Sequence, residues 1–336
     1  MFRLLLFSLV LPLSANAYIL RIGTRPSALA IVQAEAVAKV LVDSDPSIEP
    51  LIVPIDVDGD ISKGELPIVQ DVPLALRGVD FTGALDTALA KGDIDVAVHS
   101  LKDIPPQHRW HHGDGFTITC PLPREDPADI LLGPYQSLQE IKSGSNIGTS
   151  SIRRQAQLFA ICGGKDIQVV NVRGNIDARL RALEERSVDA LILARSGVNR
   201  LKLDIPYTRI SPDEMLPGLC QGIVAAVVSS TGSNHGNWME DHDAKIAASA
   251  ERAFLNRLDA SSPWEGRPPL AGLMERTTSS SDGKWVFRGL LARPDGAQVL
   301  RVMKEVSGEC TSSEAAELGE QAGLEILAQT GSHFYD

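Results

Sequence analysis

Apolar positions along the chain fall into two alternating patterns. Short apolar runs at Ile19–Gly23, Leu51–Val57 and Val96–His99 predict strands. Between them, Ser27–Val42 carries Leu29, Val32, Ala36, Val40 and Leu41 at helical spacing, and Ala84–Ala90 is a second helix. Asp58–Val72 is polar and irregular, so it is a loop. The alternation restarts near Cys120, with strands at Asp129–Leu132, Asn146–Gly148, Ile167–Asn171 and Ala190–Leu193 and helices at Ile152–Ala160 and Asp177–Glu185. Strands alternating with helices imply βαβ units and mostly parallel sheets. Pro105-Pro106 and Pro121–Pro123 bracket the junction between two such α/β lobes. After a strong helix at Ala247–Leu258 the chain turns polar and rich in Ser and Pro. It then gives strands at Trp285–Leu291 and Gln298–Val306 around a Pro-Asp-Gly turn, and a last helix at Ser313–Gln329. That final part reads as a small α+β domain.

The first residues follow another logic. Arg3 is a short positive region, Leu4–Leu13 is apolar, and Ser14-Ala15-Asn16-Ala17 offers a small-residue cleavage site. Residues 1–17 are therefore expected to be a signal peptide, with folding beginning at Tyr18. No other stretch is apolar enough to span a bilayer, so the mature form is expected to have no membrane partner. The 336 residues carry a net charge of −11, which argues against nucleic acid as a partner. Cys120, Cys162, Cys220 and Cys310 have no CxxC spacing, so no metal site and no disulfide scaffold is expected.

Charge becomes informative locally. Ser145–Arg200 holds nine Lys and Arg against five Asp and Glu, so it stands at +4 in an acidic protein. Its arginines follow Gly and Ser at strand ends, in Gly148-Thr149-Ser150-Ser151-Ile152-Arg153-Arg154, in Asn171-Val172-Arg173-Gly174-Asn175 with Arg179, and in Leu193–Arg200. A helix N-terminus offers free N–H groups and the positive end of its dipole, and Arg adds a planar fork for carboxylate or phosphate. Gly23-Thr24-Arg25-Pro26-Ser27 repeats the device in the first lobe. Read singly, each turn is equally a capped helix start with solvated arginines. Together, at the carboxyl ends of strands in two lobes, they describe a clamp for a multiply charged anion. His99-Ser100-Leu101-Lys102-Asp103 ends a buried strand, where Asp103 is either a turn residue or a carboxylate that steadies a cation or handles a proton.

These runs resemble one family, hydroxymethylbilane synthase, also called porphobilinogen deaminase. The matching runs are RIGTRPSALA, DIDVAVHSLKDIPPQ, REDPADILL, IGTSSIRRQAQL, VRGNIDARL, MLPGLCQG and AERAFLNRLD, in the family's order from Arg21 to Asp259. The resemblance implies two periplasmic-binding-protein-like lobes with mostly parallel sheets plus a small α+β C-terminal domain. Lobe 1 would take 18–116 and 222–245, lobe 2 117–221, and the C-terminal domain 246–336. It implies the stepwise joining of four porphobilinogen units, with loss of ammonia each time, into linear hydroxymethylbilane. It implies a dipyrromethane primer, porphobilinogen as partner, and a monomer. By motif, Asp103 would be the catalytic carboxylate. Arg25, Ser27, Lys102, Ser151, Arg153, Arg154, Arg173, Arg179 and Arg200 would hold acetate and propionate groups.

Two stretches depart from the family pattern. Ser262 stands nearest to the position of the cysteine that carries the primer, and Pro263–Gly266 reads as an insertion. The Gly-rich loop over the cleft reads Leu76–Ala84, keeping Phe81-Thr82 but neither lysine. A non-catalytic paralogue that binds a pyrrole or tetrapyrrole anion, and a secreted bilobal solute-binding protein, are the alternative readings. A signal peptide on a plant-like member implies a plastid reached through the secretory route, with secretion as the alternative.

Overall fold

The computed structural model describes residues 17–57, 81–106, 115–230, 240–263, 268–277 and 283–335. The expected leader, apart from Ala17, the loop Asp58–Val72, Leu76–Asp80 and Trp264–Gly266 lie outside them. In chain order the first lobe supplies β1 (Tyr18–Thr24), α1 (Ala28–Ser44), β2 (Ile48–Pro54), α2 (Gly83–Lys91), β3 (Val96–Ser100) and β4 (Phe116–Thr119). The second supplies β5 (Asp129–Leu132), β6 (Asn146–Gly148), α3 (Ile152–Ile161), β7 (Gln168–Val170), α4 (Ile176–Glu184), β8 (Ala190–Ala194), α5 (Arg195–Arg200) and β9 (Thr208–Arg209). β10 (Val224–Ser229) returns to the first lobe. α6 (His242–Ala260), β11 (Leu270–Thr277), β12 (Lys284–Ala292), β13 (Val299–Ser307) and α7 (Ser312–Gln329) complete the chain.

The two lobes share one topology. The first sheet runs β2-β1-β3-β10-β4 and the second β7-β6-β8-β5-β9. In each, four strands share a direction and one is reversed: β10 against β3 and β4, β5 against β8 and β9. The reversed strand is the one that has just arrived from the other lobe. Both crossovers, β4 to β5 and β9 to β10, therefore leave and enter at the carboxyl ends of the parallel strands. This places a crevice where the chain crosses, outside the carboxyl ends of the parallel strands.

Burial explains why these segments are strands. β3, β5, β8 and β10 are almost wholly buried and accordingly read as continuous apolar runs rather than alternations. The hydrophobic pattern did not mark β4, β9, β10 or β11. β9, with two residues, is too short to show a period. The run at Val224–Val228 has no alternation to distinguish strand from helix. β11 follows Pro268-Pro269 and contains Gly272, both of which weaken a strand signal. β2 begins three residues earlier than the apolar run because it pairs along the whole of β1, from Tyr18 with Ile48 to Thr24 with Pro54. Arg195–Arg200, read as the end of a strand, forms the short helix α5.

The third sheet, β11-β12-β13, is antiparallel, and its two faces do different work. Trp285, Phe287 and Leu291 pack with Phe254 and Leu258 of α6 and with Leu101, Ile104 and Ile223 of the first lobe. The alternate residues Leu273, Leu290 and Ala292 pack on Ala156 and Leu216 of the second lobe. The small domain thus touches both lobes. Its buried Glu251, on α6, binds Arg124 of the first crossover through Oε1 at 2.6 Å and Oε2 at 3.2 Å. It also accepts from the backbone N–H of Cys220 on the second crossover and of Met274 on β11. Cys220 takes a positive φ of 61° at this point.

The crossovers are bonded to each other as well. Arg124 Nε donates to Gln221 O at 2.9 Å, and Glu125 N to Gly222 O at 3.1 Å. Gly222 has φ of 90°, and a Cβ there would lie 2.2 Å from Glu125 O. Gly222→Ala is expected to lower stability by more than the 1–3 kcal/mol of backbone strain alone, about, because Glu125 must also move. Gly92→Ala, at φ 73° with nothing within 4 Å, is the control and should show the strain alone. Urea unfolding of both variants measures the difference.

Candidate functional site

Five strand ends meet at the crevice, and each presents its side chains through a local turn. After β1, Thr24 is fully buried and donates to Ala30 O at 3.1 Å, which fixes the turn. Arg25 then lies over the Phe81 ring, 4.3 Å from its centroid. Ser27 caps α1 by accepting from Ala30 N. After β3, Ser100 exchanges hydrogen bonds with buried Gln33 of α1 at 3.0 and 3.2 Å. A single 3-10 turn, Leu101–Asp103, follows and puts half-buried Lys102 and Asp103 at the crevice. After β6, Ser151 caps α3 by accepting from Arg154 N. The first turn of α1 meets α5 across the opening, where Leu29 reaches Gly197.

Arg153 and Arg154 turn inward. Both are buried, at 6% and 5% exposure, against a fully buried Asp129 at the start of β5. Arg153 Nη1 donates to Asp129 Oδ2 at 2.7 Å and to Leu216 O at 2.9 Å. Arg154 donates to Asp129 Oδ1 from Nη2 at 2.8 Å and from Nε at 3.2 Å, and to Ile192 O at 2.8 Å. Burial works to raise the Asp129 carboxyl, but the two guanidiniums outweigh it and hold the group below the usual carboxylate range. Two cations on one anion leave a net positive floor beneath the crevice.

The other cations collect above that floor. Burial pushes the Lys102 ammonium down to about 8; Asp103 and Asp129 oppose the shift, while Arg154 and Arg153 add to it. Burial likewise lowers Arg179, to about 10, and Arg154, Arg173 and Arg25 add to the shift while Asp103 opposes it. Asp103 thus faces Lys102 and Arg179, and Arg179 in turn faces Arg154, Arg173 and Arg25. Arg179 Nε donates to Gly174 O at 2.8 Å, which pins it to the turn after β7. On the same turn, Asn171 Oδ1 and Arg173 Nε are buried with no hydrogen-bond partner among the described residues. Buried polar atoms normally find a partner, so these two are exceptions on the arginine-bearing turn.

Arg200 reaches the second crossover, donating to Gly222 O at 2.7 Å. Arg195, at the other end of α5, is paired with Asp126 and bonded to Tyr207 OH at 3.2 Å. Ser262 is half-buried just past α6, with its N–H on Asp259 O at 3.2 Å. All four cysteines are buried and free. Burial pushes the Cys120 thiol up to about 12, and burial with Glu251 raises that of Cys220 further.

The structure brings Arg25, Lys102, Asp103, Arg173 and Arg179 together, with Ser27 and Ser151 at adjoining helix starts. It puts Arg153 and Arg154 beneath them and Arg200 at the crossover. Sequence reasoning passed over Asp129, Gln221, Gln33 and Ser100. Asp129 had a legible signal: an acidic residue opening the apolar run Asp-Ile-Leu-Leu, in a lobe whose adjacent arginines need a counter-charge if buried. The glutamines had none, because an amide's partners are set by the fold.

A family model described as "Porphobilinogen deaminase, dipyromethane cofactor binding domain" matches residues 20–235. The chloroplastic porphobilinogen deaminase of Oryza sativa subsp. japonica is 36% identical over 335 residues, covering 96% of this chain and 87% of that protein. The porphobilinogen deaminase of Syntrophomonas wolfei is 35% identical over 320 residues, covering 93% of this chain and 96% of that one. Among solved structures, the periplasmic aliphatic sulphonate binding protein SsuA from Escherichia coli gives a TM-score of 0.38 at 18% identity, covering 72% of this chain and 70% of that one.

Removing the buried carboxylate should be costly. Asp129→Asn leaves two guanidiniums with one neutral acceptor and is expected to lose about 3–5 kcal/mol at pH 7. Because the folded carboxyl is held low, its stabilisation is present above the unfolded value of about 3.9 and fades as pH falls below it. The gap between wild type and variant in urea unfolding should therefore be constant from pH 7 to about 5 and narrow in more acid solution.

Proposed function

The chain belongs to the porphobilinogen deaminase family, and we propose that its crevice joins porphobilinogen units, releasing ammonia at each addition, into linear hydroxymethylbilane. The observation that carries this reading is a cluster of cations at the strand ends, with Lys102 and Arg179 facing the one carboxylate Asp103, in a chain whose net charge is −11. Each pyrrole unit brings two carboxylates and one N–H. The arginine forks and Lys102 suit the carboxylates, and Asp103 suits the N–H groups.

The family's dipyrromethane fits the same residues. It carries four carboxylates, and Arg25, Lys102, Arg173, Arg179 and Arg200 offer matching charge. The hydroxyls of Ser27 and Ser151, which accept from helix N–H groups, retain a proton to donate. Arg153 and Arg154 add a positive field from below. When bound, the group supplies the unsubstituted pyrrole carbon at which the product grows.

The chain's own residues then have defined tasks. The cations orient porphobilinogen by its acetate and propionate. The bond between its aminomethyl carbon and nitrogen breaks with the electron pair leaving on ammonia, and positive charge spreads over the ring and its N–H. Asp103, an anion at hydrogen-bond reach of that N–H, stabilises the charge as it develops. A carbon–carbon bond forms to the methylene carbon, and the proton of the attacking pyrrole carbon is released to restore aromaticity. Turns anchored by Thr24 and Gln33 hold Arg25 and Asp103 in fixed relation through these steps.

Serine is a far poorer nucleophile than thiolate, and burial raises all four cysteine thiols above their ordinary value. The primer is therefore held by its carboxylates, with Ser262 as the residue nearest the family's anchoring position. Denaturing mass spectrometry should return the bare chain, and a pyrrole adduct would overturn this mode of holding. A plastid destination agrees with the chloroplastic naming of the rice relative.

Turnover tests the reading: the chain from Tyr18 to Asp336 with porphobilinogen should yield uroporphyrin after acid and oxidation. Bound porphobilinogen without porphyrin would identify a binding member of the family instead. Asp103→Asn should fold normally and lose at least about 100-fold in kcat. Lys102 is charged below its value of about 8, so kcat/KM should fall as pH rises through 8, and Lys102→Met should remove that limb.

A further inference from the structure

The crossovers meet at a side chain to which the reaction above gives no task. Gln221 is 1% exposed. Its Nε2 donates to Pro127 O at 2.7 Å and to Asp129 Oδ1 at 2.9 Å. Both amide protons are thereby used on the second lobe's side, which fixes the amide's orientation. Oε1 must then point the other way, and there it accepts from Lys102 Nζ at 3.3 Å. The backbone of Gln221 is held as firmly, with its N–H on Gly218 O at 2.9 Å and its carbonyl on Arg124.

Polar contacts thus run without a break from Arg153 and Arg154 through Asp129 and Gln221 to Lys102, the neighbour of Asp103. The first three residues of that line belong to the second lobe, and Lys102 to the first. Resting on the function proposed above, we propose that Gln221 is a positioning residue, whose amide fixes the Lys102 head group beside Asp103 and against the buried Asp129 floor. A lysine is a point charge on four rotatable bonds, so its place in the crevice has to be set by an acceptor. An amide serves better than a carboxylate, since it donates to Asp129 and accepts from Lys102 with no charge of its own.

Lys102 is faced by Asp103 from its own turn, by Arg153 and Arg154 from α3, and by Asp129 from β5. Removing the Gln221 oxygen disfavours its charged form, and making that oxygen anionic favours it. The titration of Lys102 is read by NMR in protein carrying 15N-labelled lysine, with the signal assigned through Lys102→Gln. Gln221→Leu is expected to move it to lower pH by about half a unit or more, and Gln221→Glu to higher pH by a similar amount. In the wild-type protein, the Gln221 side-chain amide signal should shift with the same midpoint as Lys102, which needs no substitution at 221. In turnover, Gln221→Leu should lower kcat about tenfold with KM changed less than about twofold, and should add nothing to Lys102→Met.

A Lys102 signal unmoved by either folded variant, or moved the same way by both, overturns the proposal. So does a Gln221 amide signal that ignores the lysine's titration. A wild-type chain that makes no porphyrin counts against the proposed function only, because the titrations are read without substrate.

Discussion

The crevice is built on a carboxylate that water does not reach. Asp129 has no exposure, and two guanidiniums and a glutamine amide meet on its oxygens. A buried arginine pair without it would repel itself at close range in a poorly screening interior. With it, the pair becomes a rigid, positively charged platform from which α3 begins. Such an arrangement is weak evidence for stability, since desolvating three charges offsets much of the attraction. Its value is positional: the platform fixes where the second lobe's field originates.

That platform lies where the chain crosses between lobes. Asp129 follows the first crossover directly, and Gln221 ends the second. Both crossovers are tied to α6 by Glu251, which is itself buried and binds Arg124 in a two-point fork. The third domain therefore bears on the crevice, and Arg252 of α6 donates to Ile104 O and Pro105 O just after the Asp103 turn. Its sheet packs one face toward the first lobe and the other on α3, so relative movement of the lobes must be accommodated around it.

The electrostatics follow the same division. Acidic residues are spread over the whole protein, whereas cations with low exposure gather at the strand ends. Burial and mutual repulsion lower Lys102 and Arg179 from their ordinary values, and Asp103 opposes both shifts. A site that is already crowded with like charge gains most when a polyanion enters, which is why carboxylate-rich pyrroles suit it and a neutral solute does not.

Much of this was legible beforehand. Strand–helix alternation identified two α/β lobes and a small α+β domain, because buried parallel strands and amphipathic helices carry distinct periods. Gly-Thr-Arg and Gly-Thr-Ser-Ser marked the turns at strand ends, because helix capping acts within a few residues. Asp103 and the arginines of the crevice were named from motif position. The direction of Arg153 and Arg154 was not legible, nor were the roles of Asp129, Gln221 and Glu251. Their partners lie 23 or more residues away in sequence, so only the packed chain brings them together. The sequence by itself determined most of the strands and helices and where their capped, arginine-bearing turns fall, since those depend on neighbours along the chain. Only the tertiary structure decided which charges meet a ligand and which meet one another, since that depends on where the two crossovers return.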